Sequence, residues 1–344
     1  MSDPASAAHP VPAVHPTSAA HPVPRERPGP APAVSVILPT FDRLHYLQPA
    51  VSSVLAQTYS DWELLIADDG SREETKAYLR GLTDSRIRLL WLQHTGRPAI
   101  VRNTALRHAR GEWVAFLDSD DLWHSSKLQR QIDSLAAHSE CEWSLTGCAV
   151  IDGGNAGHGR LRVAGGWVLD RLISEEATIA TPSVLVARRV LQELGGFDEQ
   201  LISCEDYELW LRLAARSEAD LVDEPLTLVR RHAEHSADEL TCLKDLARML
   251  ERVERSGIAS QTPTMLQWRR AKCAASLARA YAQGGQRRQA LATLSGSLRY
   301  SWRHKAWRDG AVSTVARVLL PAAAVRLIRG DRDCARALAG RSTK

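Results

Sequence analysis

The sequence predicts an α/β fold in which a doubly wound, mostly parallel sheet is flanked by helices and followed by an all-α helical region. Between residues 34 and 138, four short apolar runs alternate with four stretches of helical spacing. Each crossover between parallel strands needs a covering helix, so this alternation is typical of a doubly wound sheet. From residue 239 onwards the spacing is helical throughout. We therefore expect one large α/β unit with a helical unit behind it.

The strands of the first half are bounded by turn-forming residues. They are predicted at residues 34–38, 62–67, 87–92 and 113–117. The helices that follow them are predicted at about residues 44–57, 71–82, 99–109 and 126–138. Ser71 and Glu74 have the spacing of a capping box, which favours a helix start at this point.

The pattern after residue 142 is looser. Strands are predicted at residues 142–151 and 181–187, and edge strands at 221–224 and 226–232, with a flexible loop at 153–159. A clear helix is expected at 205–215. Further helices are predicted at about residues 239–256, 264–283, 286–301 and 305–329. The chain thus divides into a leader at 1–33, an α/β domain at 34–238 and a basic helical region at 239–344.

Composition excludes several classes of protein. The 344 residues are 44% hydrophobic and 24% charged, which are ordinary globular values. An apolar run of the ~20 residues that a membrane-spanning helix needs is missing, and we expect no secretory signal. The leader is rich in Pro, Ala and His, and prolines at this density predict disorder. The six cysteines never occur as CxxC, so we expect reduced thiols in a cytosolic protein.

Charge is distributed unevenly along the chain. From Thr241 to the end, 21 Lys and Arg residues face 6 Asp and Glu, whereas the first 240 residues hold 23 against 34. The basic stretch from residue 241 onwards suggests an anionic partner. Nucleic acid is one candidate, but an Arg-, Ala- and Leu-rich helical region fits a phospholipid surface at least as well. Residues 312–328 also contain an apolar stripe. The alternative to a membrane contact is that this stripe packs against the preceding helices.

Three strand ends carry residues suited to chemistry. They are residues 39–43, 68–71 and 118–121, and the last two are acidic clusters. In an open α/β sheet the carboxyl ends of the strands converge on one crevice, where ligands bind. Clustered carboxylates favour a hard divalent cation, and Mg²⁺ or Mn²⁺ binds through one or two carboxylates plus substrate phosphates. Each cluster alone is more typical of a turn and helix cap, so their combination carries the prediction.

These motifs resemble those of the family 2 glycosyltransferases, which are inverting enzymes of the GT-A fold. The resemblance rests on residues 34–43, 62–71 and 97–121, and continues through 195–198, 205–212 and 225–236. It covers about 200 residues with the motifs in family order. Phe41-Asp42 stands where the family more often has Tyr-Asn. The last hundred residues lie outside the resemblance.

The resemblance implies a binding site for a nucleoside-diphosphate sugar. The nucleotide base would be held around Pro39, Thr40, Phe41 and Asp42 together with Asp69. Arg102 and Asn103 would line the donor pocket. The alternative for these two residues is that they lie on a solvated helix surface. Asp118 would lie nearest the ribose and sugar. Either Asp120 or Asp121 would hold Mn²⁺ or Mg²⁺.

The resemblance also implies a catalytic base. In this family an acidic residue of the Glu-Asp motif takes the proton from the acceptor hydroxyl, a role that points here to Asp206, with Glu205 as a supporting charge. A carboxylate in hydrogen-bond reach of that hydroxyl adds ~10²–10⁴-fold to the rate. The alternative is structural, because Ser203 and Asp206 also have capping-box spacing. His232 could reach the diphosphate or the metal, or lie on the surface.

The expected function is metal-assisted, inverting transfer of a sugar from a UDP- or dTDP-linked donor to a glycan or lipid-linked acceptor. We expect the enzyme in the cytoplasm, with possible peripheral contact with an anionic membrane and no nucleic-acid partner. One alternative is a sugar-1-phosphate nucleotidyltransferase, but its Gly-rich phosphate loop is missing because residues 39–43 contain no glycine. The other alternative is a degenerate transferase domain that acts as a scaffold.

Overall fold

The computed structural model describes residues 30–152, 157–231 and 238–301. The leader, apart from its last residues, and the helix predicted at 305–329 lie outside this described part, as does His232. Across the described residues, no helix combines the length and the apolar character needed to cross a bilayer.

The first half of the chain forms a four-stranded parallel sheet, as predicted. Its strands are β1 (Val34–Thr40), β2 (Trp62–Asp68), β3 (Ile87–Trp91) and β4 (Trp113–Phe116). They lie in the order β3-β2-β1-β4, and β1 pairs in parallel with both β2 and β4. The chain runs from β1 outward through β2 to β3 and then crosses to β4 on the other side of β1. This reversal of the strand order creates the crevice at the carboxyl ends of the strands.

The second half extends this sheet with mixed pairing. Its strands are β5 (Leu122–Trp123), β6 (Trp143–Ile151), β7 (Gly157–Arg160), β8 (Leu185–Ala187) and β9 (Asp220–Arg230). From β4 the order continues β8-β6-β9-β5, with β7 paired to β6. β8 is antiparallel to β4 and β6, whereas β9 is parallel to β6. The sheet is therefore parallel in one half and mixed in the other.

Two strand predictions in this half are corrected. The segment predicted as one strand at 181–187 is a 3₁₀ turn at Thr181–Ser183 followed by the short β8. The segments predicted as two edge strands form the single strand β9, which pairs with β6 on one side and β5 on the other. The register of β9 shifts around Pro225, because a proline cannot donate to the ladder and is accommodated at a bulge.

Ten helices occur in the described part of the chain. They are α1 (Leu44–Leu55), α2 (Glu73–Arg80), α3 (Pro98–His108), α4 (Lys127–Ala137), α5 (Leu169–Ile173), α6 (Arg188–Leu194), α7 (Glu205–Arg216), α8 (Glu239–Ser256), α9 (Pro263–Gln283) and α10 (Arg287–Ser301). The short α5 and α6 were not predicted. The predicted capping box of α2 is absent, because the Ser71 hydroxyl instead accepts the Asp42 amide at 2.9 Å.

The core lies in two apolar clusters on the opposite faces of the sheet. One contains residues of α1, β1 and β2, and the other contains residues of α3, α6 and α7. The second cluster also includes Met249, Leu250 and Val253 of α8 and Leu266 and Cys273 of α9. α8 and α9 therefore share a core with the α/β sheet, whereas the buried residues of α10 form a separate small cluster with α9.

Candidate active site

A cavity of about 330 Å³ opens at the carboxyl ends of the parallel strands. Seven of the predicted site residues line it, namely Pro39, Thr40, Phe41, Asp69, Arg102, Asp118 and Asp120. Glu205, from the start of α7, lines it as well. Residues that lie up to 166 positions apart in the sequence are thus brought to one crevice, because β1, β2 and β4 end at the same edge of the sheet.

The entrance of the cavity carries a pair of stacked rings. The rings of Phe41 and His94 lie 4.0 Å apart between centroids, with an angle of 23° between their planes. Phe41 is 41% exposed, so an apolar ring face is available to a ligand. The neighbouring Thr40 hydroxyl is buried, and within the described chain it has no hydrogen-bond partner. A flat heteroaromatic ligand with polar edges would match these groups.

Asp69 forms a wall of the cavity by holding the chain after β3. Its Oδ1 accepts the Thr95 amide at 2.9 Å, and its Oδ2 accepts the Gly96 amide at 2.9 Å. These bonds keep residues 94–96 against the end of β2, where they form one side of the cavity. The Asp69 carboxylate therefore has a clear structural role. The sequence predicts a different role for it, which is contact with a nucleotide base.

A buried arginine joins the two halves of the site. Arg102 on α3 donates to Asp118 Oδ1 and to Glu205 Oε1, both at 2.6 Å. Only 6% of Arg102 is exposed, which rules out the solvated helix surface considered as its alternative. The two carboxylates raise the pKa of Arg102, against the effect of its burial, so the guanidinium stays charged.

Asp120 and Asp121 point in different directions. Asp120 lines the cavity and pairs with Arg43 at 2.6 Å. Asp121 is buried outside the lining, and its Oδ1 accepts the Arg230 amide of β9 at 2.7 Å. The structure therefore places Asp120, rather than Asp121, at the cavity.

The electrostatics of the site are dominated by carboxylates. Five carboxylates lie close together with three guanidinium groups. The carboxylates belong to Asp118, Asp120, Asp121, Glu205 and Asp206, and the guanidinium groups to Arg43, Arg102 and Arg230. Burial, and then the neighbouring Asp118 and Asp120, raise the pKa of Asp121 well above its usual range. Burial also raises the pKa of Asp118, although Arg102 opposes this shift. An excess of negative charge of this kind is relieved by a cation.

Asp206 lies beside the lining rather than in it. Its Oδ2 accepts the Thr181 hydroxyl at 2.8 Å, and its Oδ1 accepts the Tyr207 amide at 2.6 Å. The predicted Ser203–Asp206 capping box is absent, since the N-cap of α7 is Cys204 in a left-handed conformation. Asp206 interacts electrostatically with Arg102 and Asp118, so it borders the same charge cluster.

Glu205 has a distinct protonation behaviour. Burial, and then the charge of Asp206, raise the pKa of Glu205 to about 7, although Arg102 opposes the shift. Two adjacent carboxylates that share one buried cation cannot both ionise freely. Glu205 therefore tends to keep its proton up to about neutral pH.

Two predicted donor residues do not line the cavity. Asp42, whose φ is +49°, binds the Arg72 backbone and side chain and so joins two strand-end loops. The side-chain amide of Asn103 donates to the Phe197 carbonyl and accepts the Phe197 amide. Both residues hold loops next to the cavity, so the structure favours a supporting role for them.

The donor set of the cavity fits a divalent metal ion held partly by substrate. In the described ranges, no three His, Cys, Asp or Glu side chains are grouped so as to hold a metal ion. Mg²⁺ and Mn²⁺ sites of substrate-phosphate type need only one or two protein carboxylates. Asp118 and Asp120, which line the cavity two residues apart, meet this requirement.

Sequence reasoning missed four residues of the site. Arg43, His94, Thr181 and Arg230 are not among the predicted site residues. A local signal existed for Arg43, which lies three residues after the end of β1 in the strand-end segment 39–43. The others reach the site from later loops and strands, and a sequence carries no local mark of such contacts.

Comparison with known proteins gives a consistent picture. A family model described as "Glycosyl transferase family 2" matches residues 35–147. The chain is 35% identical, over 182 residues, to the UDP-Glc:alpha-D-GlcNAc-diphosphoundecaprenol beta-1,3-glucosyltransferase of Escherichia coli. That alignment covers 52% of this chain and 69% of the relative. The chain spans half or less of the length of several other curated relatives.

Solved structures with similar folds include a protein in complex with UDP-GlcNAc and a mannosyltransferase. Staphylococcus aureus TarS 1-349 in complex with UDP-GlcNAc matches with a TM-score of 0.56 at 18% identity, covering 83% of this chain and 81% of that one. The mannosyltransferase of Pyrobaculum calidifontis in complex with GDP-Man and Mn²⁺ matches with a TM-score of 0.53 at 19% identity, covering 84% and 85%. At these identities the likeness concerns the fold, which is of the GT-A type.

Proposed function

This chain belongs to glycosyltransferase family 2, and from that premise we propose that it is an inverting, metal-assisted enzyme using a nucleoside-diphosphate sugar. The donor is of the UDP or dTDP type, and the acceptor is a hydroxyl of a glycan or glycolipid. Family membership places the chain among the glycosyltransferases rather than among the nucleotidyltransferases. We further propose that the α/β unit of residues 34–238 is the catalytic domain and that 239–344 is a basic helical region.

One observation carries the proposal. Arg102 connects Asp118, on the donor side of the cavity, to Glu205, the neighbour of the proposed base. A transfer reaction needs the donor and the acceptor hydroxyl to be held in a fixed relation, and a shared buried cation couples the two groups that do so. The guanidinium also offsets negative charge next to an anionic donor.

The base of the reaction is Asp206. The Thr181 hydroxyl and the Tyr207 amide both donate to its carboxylate and so orient it. The acceptor hydroxyl loses its proton to Asp206 as its oxygen attacks the anomeric carbon. The nucleoside diphosphate leaves from the opposite face, so the configuration inverts. Glu205 acts as a supporting charge, paired with Arg102.

The donor is held by the first half of the chain. Phe41 offers a ring face to the nucleotide base, and the Thr40 hydroxyl offers a buried polar atom. Asp118 and Asp120 would hold Mn²⁺ or Mg²⁺, which when bound neutralises charge on the leaving diphosphate. Arg43, paired with Asp120, lies where it can approach the same phosphates.

Two observations support a lipid-linked acceptor. The relative from Escherichia coli acts, by its name, on a sugar linked to diphosphoundecaprenol. A basic helical region is suited to an anionic membrane surface, which is where such an acceptor resides. We therefore propose that the enzyme works in the cytoplasm or at the inner face of the plasma membrane, in the biosynthesis of a cell-surface polysaccharide, without a nucleic-acid partner.

The proposal is tested by a screen of nucleotide sugars for Mn²⁺-dependent transfer and hydrolysis. We expect Asp206→Asn to bind the donor with wild-type affinity but to transfer sugar ~10²–10⁴-fold more slowly, because the acceptor proton has no base. Asp120→Ala should instead weaken binding of the donor in the presence of Mn²⁺. Calorimetry of donor binding and a radiolabelled transfer assay separate the two effects.

Asp133→Asn is the matched control, since this carboxylate is exposed on α4. We expect it to behave as the wild type in both assays. Wild-type transfer by Asp206→Asn would remove Asp206 as the base. A wild type that neither binds nor hydrolyses any nucleotide sugar would overturn the transferase assignment of the cavity.

A further inference from the structure

We propose that Asp245, on α8, is a positioning residue for the loop that delivers Glu205 and Asp206 to the cavity. The inference rests on the proposed function and extends it to a helix outside the part of the chain that the family model matches. It makes α8 part of the catalytic unit.

The loop in question, residues 195–204, runs from the end of α6 to the start of α7. Ile202 of this loop lines the cavity, and the next helix begins with Glu205. Cys204, at the junction, has φ +61°, a left-handed conformation that is strained for a residue with a side chain. Such a conformation persists only where the surroundings impose it.

Asp245 provides that constraint from α8. Its side chain is fully buried, and its Oδ2 accepts the Ile202 amide at 2.8 Å and the Ser203 amide at 3.0 Å. Its Oδ1 accepts Arg248 at 3.1 Å. A buried carboxylate is stable only when its oxygens are hydrogen-bonded, so these bonds fix both the carboxylate and the loop. The two amides immediately precede Cys204.

Other contacts hold the same loop from both sides. Arg252, one turn further along α8 than Arg248, pairs with Asp198 and donates to Gln200 Oε1 at 2.6 Å. On the opposite side, Asn103 of α3 binds the amide and carbonyl of Phe197. The loop is thus clamped between the helix that carries Arg102 and the helix that carries Asp245.

The consequence for catalysis follows from geometry. Asp245 is not among the residues that line the cavity, so it acts through the loop. A displacement of the first turn of α7 by about 1 Å would move Asp206 relative to the acceptor hydroxyl, at a cost of up to ~10²-fold in rate. Binding of the donor base depends on β1 and β2 and should be affected far less.

The test compares Asp245→Ala and Asp245→Asn in the full chain. Asp245→Ala leaves two amides without an acceptor, and we expect the kcat of transfer to fall about 10- to 100-fold while the KM for the donor changes by less than about threefold. Asp245→Asn keeps an oxygen that can accept both amides, so most of the kcat should return. Rescue of this kind distinguishes positioning from a general loss of stability.

Asp238→Ala is the control on the same helix. Asp238 caps α8 by accepting the Thr241 amide at 3.0 Å, and its loss should cost about 1 kcal/mol of stability. It lies outside the loop contacts, so the kcat should stay close to that of the wild type. If Asp245→Ala fails to fold, Arg252→Ala removes a partly exposed contact to the same loop and should lower kcat by several-fold.

Amide hydrogen exchange provides a second readout that needs no activity. We expect faster exchange at Ile202, at Ser203 and in the first turn of α7 in Asp245→Ala, but not in Asp238→Ala. Unchanged exchange there, or an equal loss of kcat in both variants, would overturn the proposal. A wild type without transferase activity would defeat the proposed function, while selective exchange at these amides would still support the role of Asp245 in the loop.

Discussion

At the scale of single residues, the site depends on charged groups that are each held by two partners. Arg102 spends two guanidinium nitrogens on two carboxylates at 2.6 Å, and this fork geometry is one that a lysine cannot reproduce. Asp206 likewise has both oxygens engaged, one by Thr181 and one by Tyr207. Each residue is therefore held in one orientation by its immediate partners.

Thr181→Val provides a test at this scale. Valine preserves the shape of threonine but removes the hydroxyl that donates to Asp206 at 2.8 Å. Because a hydrogen bond to a charged group contributes about 1.5–3 kcal/mol, we expect the kcat of transfer to fall on the order of tenfold. Binding of the donor, measured by calorimetry, should not change.

Thr181→Ser is the matched control for this substitution, since it keeps the hydroxyl. It should retain most of the wild-type rate. Equal rates for the valine and serine variants would show that Thr181 does not orient Asp206.

At the scale of elements, α4 begins with a lysine that is fully buried. Lys127 donates to Gln131 Oε1 at 2.7 Å, one turn further along the helix, and its amine lies 4.1 Å from the centre of the Trp123 ring. Burial lowers the pKa of Lys127 to about 7. The start of α4 thus contains an amine that is easily deprotonated next to the strand β5.

This burial predicts a pH-dependent stability. The pKa of Lys127 is lower in the folded than in the unfolded chain, so between about pH 7 and 10 the unfolded state binds more protons. The free energy of unfolding should therefore rise with pH in this window, by at most about 1.4 kcal/mol per pH unit from this residue. Below pH 7 the amine is charged in both states, and its contribution levels off.

Lys127→Met isolates the effect, because methionine fills a similar volume without a charge. Urea unfolding of both proteins from pH 6 to 10 should show that the variant gains most over the wild type at pH 7 and below. The advantage should shrink as the pH rises. A difference in stability that is constant across this range would contradict the lowered pKa.

At the scale of the whole molecule, the helical region is joined to the α/β unit. α8 and α9 contribute to the core that lies against α3 and α7, and Arg269 of α9 also pairs with Glu175, two residues after the end of α5. Outward from this packing, α9 and α10 contain no acidic residue, and Arg279, Arg287 and Arg288 are exposed. The region therefore combines a structural role with a basic outer surface.

Liposome co-sedimentation tests the proposed contact of this surface with a membrane. Replacing Arg279, Arg287 and Arg288 with serine should reduce pelleting with vesicles that contain anionic lipid, and by more at low salt than at high salt. The expected loss is about 1 kcal/mol of binding per arginine near the surface. Neutral vesicles should pellet little of either protein.

A triple serine variant at Arg80, Arg107 and Arg130 is the control, because these side chains are more than half exposed on the α/β unit. It should pellet like the wild type. Equal pelleting of both triple variants would rule out α9 and α10 as the membrane-facing surface.

By itself, the sequence determined the α/β class, the parallel direction of the first four strands and the family, since alternation of apolar runs and turn residues at strand ends are short-range properties. It also identified seven of the residues that line the cavity. The order of the mixed half-sheet, with β9 interrupted by a bulge at Pro225, depends on pairing with β6 and could not be deduced locally.

Only the tertiary structure decided which side chains meet. Arg102 and Glu205 are 103 positions apart, and their contact exists because α3 and α7 pack on the same face of the sheet. Asp120 lines the cavity and Asp121 does not. This difference likewise depends on the path of β9, whose Arg230 amide donates to Asp121. Contacts across such distances are set by the packing of whole elements, which no local spacing of residues records.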